Sequence, residues 1–324
     1  MTAQLAHTKK AVGIKPGDVC LSLLLFFCLS LMLRRADIAT QFMREGLKLC
    51  AHAVVPSLFP FMVISELLVA SGAGEWILAP LARPLGKLLG LPPAGASSVI
   101  LGLLCGFPIG ARCAILSYKN GKTDKTECER AVACSSIPSA AFLVSTVGAT
   151  LWKDTKFGLL LYSVAVLSAL LSGILLYALQ KARKKQLPIT KKSAPPKIRF
   201  DAKMFPDAIR NATKNTLLIC AYVTFFATLS GTVDMVFEGL AANKTIHAML
   251  SSLLEISGGT SAAAKLPNER FAKILTGAAV GWSGLSVHCQ MLSLCDEQDI
   301  SLRPYLAAKL IQTAACAAII GLLK

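Results

Sequence analysis

Four places along the chain interrupt an apolar helix with residues that a helix tolerates poorly. They are Cys105-Gly106-Phe107-Pro108-Ile109-Gly110, Ser135-Ser136-Ile137-Pro138-Ser139, Glu255-Ile256-Ser257-Gly258-Gly259-Thr260-Ser261 and Gly281-Trp282-Ser283-Gly284. Each frees backbone N–H and C=O groups, and in hydrocarbon an unpaired group costs several kcal/mol. Those groups must be buried in protein or face a polar cavity. Close helix packing through small residues would satisfy one such place; four of them, placed correspondingly in two halves, point to a binding cavity. Its candidate lining is Gly106, Pro108, Gly110, Ser135, Ser136, Ser139, Ser257, Gly258, Gly259, Ser283, Gly284 and Gln290.

Ionisable groups inside apolar runs are the second signal, because a charge at the bilayer centre costs at least about 2.5–3.5 kcal/mol. We single out Glu66, Arg112, Glu255 and His288, with Gln290 and Gln312 as neutral companions. Glu66 and Arg112 are placed to pair across the first half as a structural ion pair. Alternatively, the planar fork of Arg112 receives a carboxylate or phosphate of a solute. Glu255 precedes Ser257, Gly258 and Gly259, where freed backbone and the hydroxyls of Ser257 and Thr260 can complete a cation or proton site. His288 reads either as a hydrogen-bonded core residue or as a proton-linked group. Glu255, His288 and Glu66 are therefore the candidates for a coupling ion, H+ or Na+.

The elements that carry these residues are membrane helices. The chain has 324 residues, 54% hydrophobic and 16% charged, with a mean hydropathy of +0.59, which excludes an ordinary soluble surface. A span needs roughly 20 apolar residues, so the apolar runs give an all-α polytopic membrane protein of about eight to ten membrane segments. Lys and Arg outnumber Asp and Glu by 34 to 18, and the bases gather between apolar runs, as on membrane loops rather than on a nucleic-acid surface. No nucleic-acid partner is expected. The eleven cysteines are scattered without C-x-x-C pairs and read as small packing residues, with no metal site.

Residues 1–40 hold a basic start and a first, uncleaved span ending at Arg34-Arg35. Residues 41–179 form a first half. The prolines Pro56 and Pro60 are expected to bend its segment 42–70, and 72–90 suits an interfacial helix. Residues 94–118 and 128–152 read as interrupted spans and 157–179 as the plainest one. Residues 180–206 are a basic, proline-bearing linker, read as cytoplasmic from the positive-inside bias. Residues 207–324 form a second half, with apolar segments 209–233, 245–265, 271–294 and 304–323. Alternation from an inside linker places Arg34, Arg35 and Arg44, then Lys119–Lys125, then Lys265, Arg270 and Lys273 inside; it places Asp234, Glu238, Asp296, Glu297 and Asp299 outside. By that count the halves are parallel, a conclusion that a re-entrant hairpin reverses. The halves also match in order: LFPFMVISELLVASG and LLICAYVTFFATLSG each precede interrupted helices. Carriers built from repeats place their solute near the midplane, between discontinuous helices. There is no Walker A loop, G-x-S-x-G or H-E-x-x-H to support ATP-driven transport or hydrolysis; we expect no enzyme and no cofactor.

The runs PSLFPFMVISELLVASG, LCGFPIGAR, ERAVACSSIPSAAFLVSTVG, LLEISGG, GWSGLSVHCQ and ISLRPYLAAKL, taken in order over roughly residues 40–323, resemble the YlbJ-type sporulation integral membrane proteins. Those carry two nucleoside-recognition, or Gate, domains, which also occur in concentrative nucleoside transporters. Ser136 stands where family members usually carry Asn, and Ser257-Gly258 where they carry Thr-Asn. The resemblance implies a carrier-like fold in a bacterial cell membrane or spore-associated membrane, and a link to dipicolinate, a small aromatic dicarboxylate. The expectation is a secondary carrier or facilitator of a small organic anion, with Arg112 as its anion-binding group. A nucleoside-type carrier and a non-transporting scaffold of an envelope or spore complex are the alternatives. A homo-oligomer is compatible with the sequence without being specified by it.

Overall fold

The computed structural model describes residues 16–183, 198–236, 243–296 and 298–323, all helix and connection among those residues. Helix α1 (Pro16–Arg34) is followed by α2 (Ala36–Leu49), a π-helical turn at Cys50–Val54, and α3 (Val55–Ala70). The expected bend at Pro56 is taken up as this π turn. Proline has no N–H to give the preceding turn, and a widened turn absorbs the missing bond. At Gly72, with φ of 75°, the chain swings by 87° into α4 (Ala73–Leu89). Trp76, Ile77 and Leu81 are exposed along α4, as an interfacial helix requires.

Helices α5 (Pro93–Cys105) and α6 (Phe107–Lys119) do not form one span. The hydroxyls of Ser98 and Ser117 meet at 3.3 Å, and a Cβ on Gly102 would lie 2.8 Å from the Gly110 Cα. The chain therefore doubles back at Gly106, so 94–118 is a re-entrant hairpin rather than a crossing. Helix α7 (Lys125–Ser135) starts on a capping box of Asp124 and Glu127. It breaks at 136–139 and resumes as the π-helical stretch Phe142–Leu151 before the long α8 (Thr155–Arg183).

After α9 (Met204–Val236) the same order recurs. Helices α10 (Lys244–Leu254) and α11 (Ile256–Ala263) are a second hairpin, because a Cβ on Gly259 would collide with the Ser252 Cα. Helix α12 (Glu269–Trp282) breaks at Ser283, which has φ of 70°; α13 (Gly284–Asp296) and α14 (Arg303–Leu322) complete the chain. All four interruptions read from the sequence are breaks in the structure. Helices α8, α9 and α14 are the described helices long and apolar enough to cross a membrane unbroken. The largest buried cluster joins α4–α8 to α11–α14; a second one packs the π turn, α3 and the first hairpin on α9.

Contacts at the two ends overturn the charge-based topology. At one end Arg130 reaches Gln180, close to the linker, and the Gly90 carbonyl. There too Lys125 meets Asp299 at 2.7 Å, and the Ser301 N–H donates to Glu129 at 3.1 Å. At the far end Arg270 donates to the Gly321 carbonyl, and Lys273 lies over the rings of Trp152 and Phe157. Asp296 and Asp299 thus share the linker end, while Lys265, Arg270 and Lys273 lie opposite. Arg34 and Arg35 precede the α2 segment whose Phe42 packs on Gly231 of α9, so they too point to the far end. The cause is physical: each hairpin returns to the end it entered from, so one crossing is lost on each side of the linker, which reverses the side of the segments before the first hairpin and of those after the second. The hairpins enter from opposite ends, so the parallel relation of the halves does not hold. Residues 184–197 of the linker, with Glu238 and Glu297, lie outside the described residues, as does the start of the chain before Pro16.

Candidate functional site

Three of the four breaks meet at one cavity; the fourth, with Ser283 and Gly284, lies behind its lining, against Glu255. A cavity of about 440 Å³ is lined by the tip of the first hairpin (Gly106, Phe107, Pro108), by Pro138 and Ser139, by the tip of the second hairpin (Glu255, Ile256, Ser257), and by Ser286 and Gln290 of α13. Two further walls come from His52, Val54 and Pro56 around the π turn, and from Ile219 and Val223 of α9. The volume is in the usual range for a small-molecule site, which runs from about 300 to 1,000 Å³.

The tip of the first hairpin depends on Gly106. Its φ of 99° and ψ of 172° are open in practice only to glycine. It presses on Ser139, whose backbone N lies 3.0 Å from where a Cβ would stand. Helix α6 begins there with no side-chain cap, so its N-terminal dipole faces the cavity unneutralised. The other two helix starts are capped. Ser139 Oγ accepts from the Phe142 N–H at 3.2 Å, and Glu255 Oε2 accepts from the Gly258 N–H at 2.7 Å. Glu255, only 5% exposed, is thereby held at the lip of its hairpin. The second hairpin tip rests on the last break: a Cβ on Gly284 would lie 2.9 Å from the Glu255 Cα, and Trp282 Nε1 donates to the Leu253 carbonyl at 3.1 Å.

Of the residues singled out in the sequence, Gly106, Pro108, Ser139, Ser257, Gln290 and Glu255 line the cavity. Gly110 and Ser135 instead pack the hairpin against α7, where a Cβ on Gly110 would lie 2.5 Å from the Ser135 Cβ. Ser135 and Ser136 turn their hydroxyls back to the Val132 carbonyl. Gly258 donates the cap of α11, and Gly259 supports the hairpin. Thr260 bonds the carbonyls of Ile256 and Ser257, so its hydroxyl is directed at its own helix rather than at Glu255. Arg112 lies outside the cavity, beyond Pro108, where it forms an ion pair with Glu66. His288 bonds the Tyr305 hydroxyl at 2.7 Å and packs edge-on to Trp282, behind the lining.

No Lys or Arg is among the described lining residues. Phe107 lies inside the first interruption, whereas the walls Phe142, His52, Ser145 and Thr146 were not singled out from the sequence, because nothing local distinguishes them from ordinary apolar or loop positions. Lys309 was also missed, although a signal existed: Tyr305, Lys309, Gln312 and Cys316 recur at helical spacing, and all four are at most 1% exposed.

No family model matches the chain, so two Gate domains remain an expectation carried by the motifs. The chain is 24% identical over 318 residues to the sporulation integral membrane protein YlbJ of Bacillus subtilis (strain 168), covering 86% of this chain and 76% of the relative. Its fold matches that of a concentrative nucleoside transporter, a doubly substituted CNTnw in an outward-facing state, with a TM-score of 0.53 and 14% identity over 94% of this chain and 85% of the other. The protein is a multi-pass helical membrane protein, similar in sequence to a YlbJ sporulation membrane protein and in fold to a nucleoside transporter.

Proposed function

We propose that the chain is a secondary carrier or facilitator of a small planar organic anion, of the dipicolinate-like aromatic dicarboxylate class, acting in spore formation. The observation that carries this reading is the meeting of three helix breaks at one cavity, with the fourth packed behind it. The uncapped start of α6 supplies a positive pole for an anion, and Phe107 and Phe142 offer faces for a flat ring. Gln290 Oε1, buried without a partner among the described residues, is free to accept from the solute. Arg112 contributes only after leaving Glu66, an exchange that fits a carrier moving between two states. Glu255 is the coupling group, sited where hairpin movement reaches the solute.

The test is flux of labelled dipicolinate and of labelled nucleosides into proteoliposomes holding the full chain. Saturable dipicolinate flux is expected. Nucleoside flux alone would reassign the solute, and no flux of either would leave a scaffold role in its place.

A further inference from the structure

Lys309 sits about two turns into α14 and is 0% exposed. Its Nζ donates to Ser283 Oγ at 2.9 Å and to the Gly281 carbonyl at 3.3 Å. Both acceptors belong to the α12–α13 break. Helix α12 ends there, and its last carbonyls have lost the N–H partners that a continuing helix would supply. Ser283 takes two of them: its N–H donates to the Ala279 carbonyl at 2.7 Å and its hydroxyl to that of Val280 at 3.1 Å. The Gly281 carbonyl is left to the lysine. The approach is close, since a Cβ on Gly281 would lie 2.6 Å from the Gln312 carbonyl oxygen.

No carboxylate lies within ion-pair distance of Lys309 among the described residues. The negative pole that faces it is the C-terminal end of α12. A lone amine is costly at this depth and marks a function by default. Carbonyls and hydroxyls at the end of a discontinuous helix are also the ligand set by which broken-helix carriers hold a coupling cation.

We propose that the α12–α13 break is a monovalent-cation site permanently filled by the chain's own Lys309 ammonium. The break itself then takes no inorganic cation, and a coupling ion has to bind elsewhere, as at Glu255. The consequence for coupling rests on the carrier reading; the site itself does not.

The test needs no solute, so its failure and that of the carrier reading are separable. The unfolding midpoint of the full chain in nanodiscs is measured in N-methyl-D-glucamine buffer, then with methylammonium, sodium or the bulkier tetramethylammonium added. The variants are Lys309→Ala, which vacates the site, and Lys309→Met, which fills it without charge. Methylammonium is expected to raise the Lys309→Ala midpoint saturably by about 2–4 °C beyond its effect on the wild type and Lys309→Met. Tetramethylammonium is expected to give no such rise. Recovery of folded Lys309→Ala only when methylammonium is present during extraction would support the site equally. The proposal is overturned if Lys309→Ala responds no more than the wild type. It is also overturned if Lys309→Met folds while Lys309→Ala is not recovered in either buffer.

Discussion

The ammonium of Lys125 and the carboxylate of Asp299 meet at 2.7 Å across 174 positions of sequence. One contact of this kind decides what a count of loop charges left open, because two residues that touch share a side of the membrane. Lys125 holds the Asp299 carboxyl below its ordinary range, and Asp299 raises Lys125 in turn, each chiefly through their hydrogen bond. The contribution of Asp299 is full above its unfolded pKa of about 3.9 and is lost as pH falls through its lower folded value. Both groups are on the surface, so salt screens the pair and its removal should leave stability nearly unchanged.

Topology follows from that contact. Cysteines placed singly at 125, 183 and 299, in a background without the native thiols, should be labelled by an impermeant reagent from one side. A cysteine at 270 should be labelled from the other side. Labelling of 125 and 299 from opposite sides would contradict the arrangement of the hairpins.

Neighbouring glycines in the second hairpin should behave oppositely. A Cβ on Gly258 meets only a Glu255 carboxylate oxygen at 3.6 Å, whereas one on Gly259 collides with the Ser252 backbone. Gly258→Ala should leave the unfolding midpoint unchanged or slightly raised, since alanine favours helix. Gly259→Ala should destabilise by about 1–3 kcal/mol through overpacking. Thermal unfolding of the two variants side by side checks the hairpin directly.

Gly106→Ala places a side chain in a backbone region reserved for glycine, at about 1–3 kcal/mol, and pushes against Ser139. It should fold with a lowered midpoint and lose solute flux by more than its loss of folded protein explains. Equal losses would mean that the tip serves packing alone.

Glu255→Gln keeps an oxygen to accept from the Gly258 N–H, so the hairpin should form and insert normally. Gradient-driven accumulation should be lost while passive exchange survives. Accumulation measured with and without an imposed proton or sodium gradient decides it; if the variant still accumulates, Glu255 is architecture and His288 is the next candidate.

The breaks were legible because glycine, proline and serine inside apolar runs have few other uses. Whether a break is a kink or a reversal was not, since a hairpin and a span have the same composition. Only the meeting of Ser98 with Ser117, or of Gly259 with Ser252, distinguishes them. That one ambiguity misplaced Lys265, Arg270, Lys273, Asp296 and Asp299 together. The pairing of Arg112 with Glu66 was readable from charge alone, but its position behind Pro108 depends on the hairpin's rotation. The cavity walls at His52, Phe142 and Val223 come from elements far apart in sequence and carry no local mark. Lys309 was readable in principle, from a polar face repeating along the last helix.

The central claim is that the cavity between the two hairpin tips and the 136–139 break is the solute path. Ser145 lines it from an exposed position, so Ser145→Trp fills the space without disturbing the core. The most direct measurement is initial dipicolinate flux in proteoliposomes, wild type against Ser145→Trp, with equal amounts of folded, inserted protein. The account predicts saturable flux in the wild type and a loss of at least tenfold in the variant. Equal flux from both proteins would contradict it.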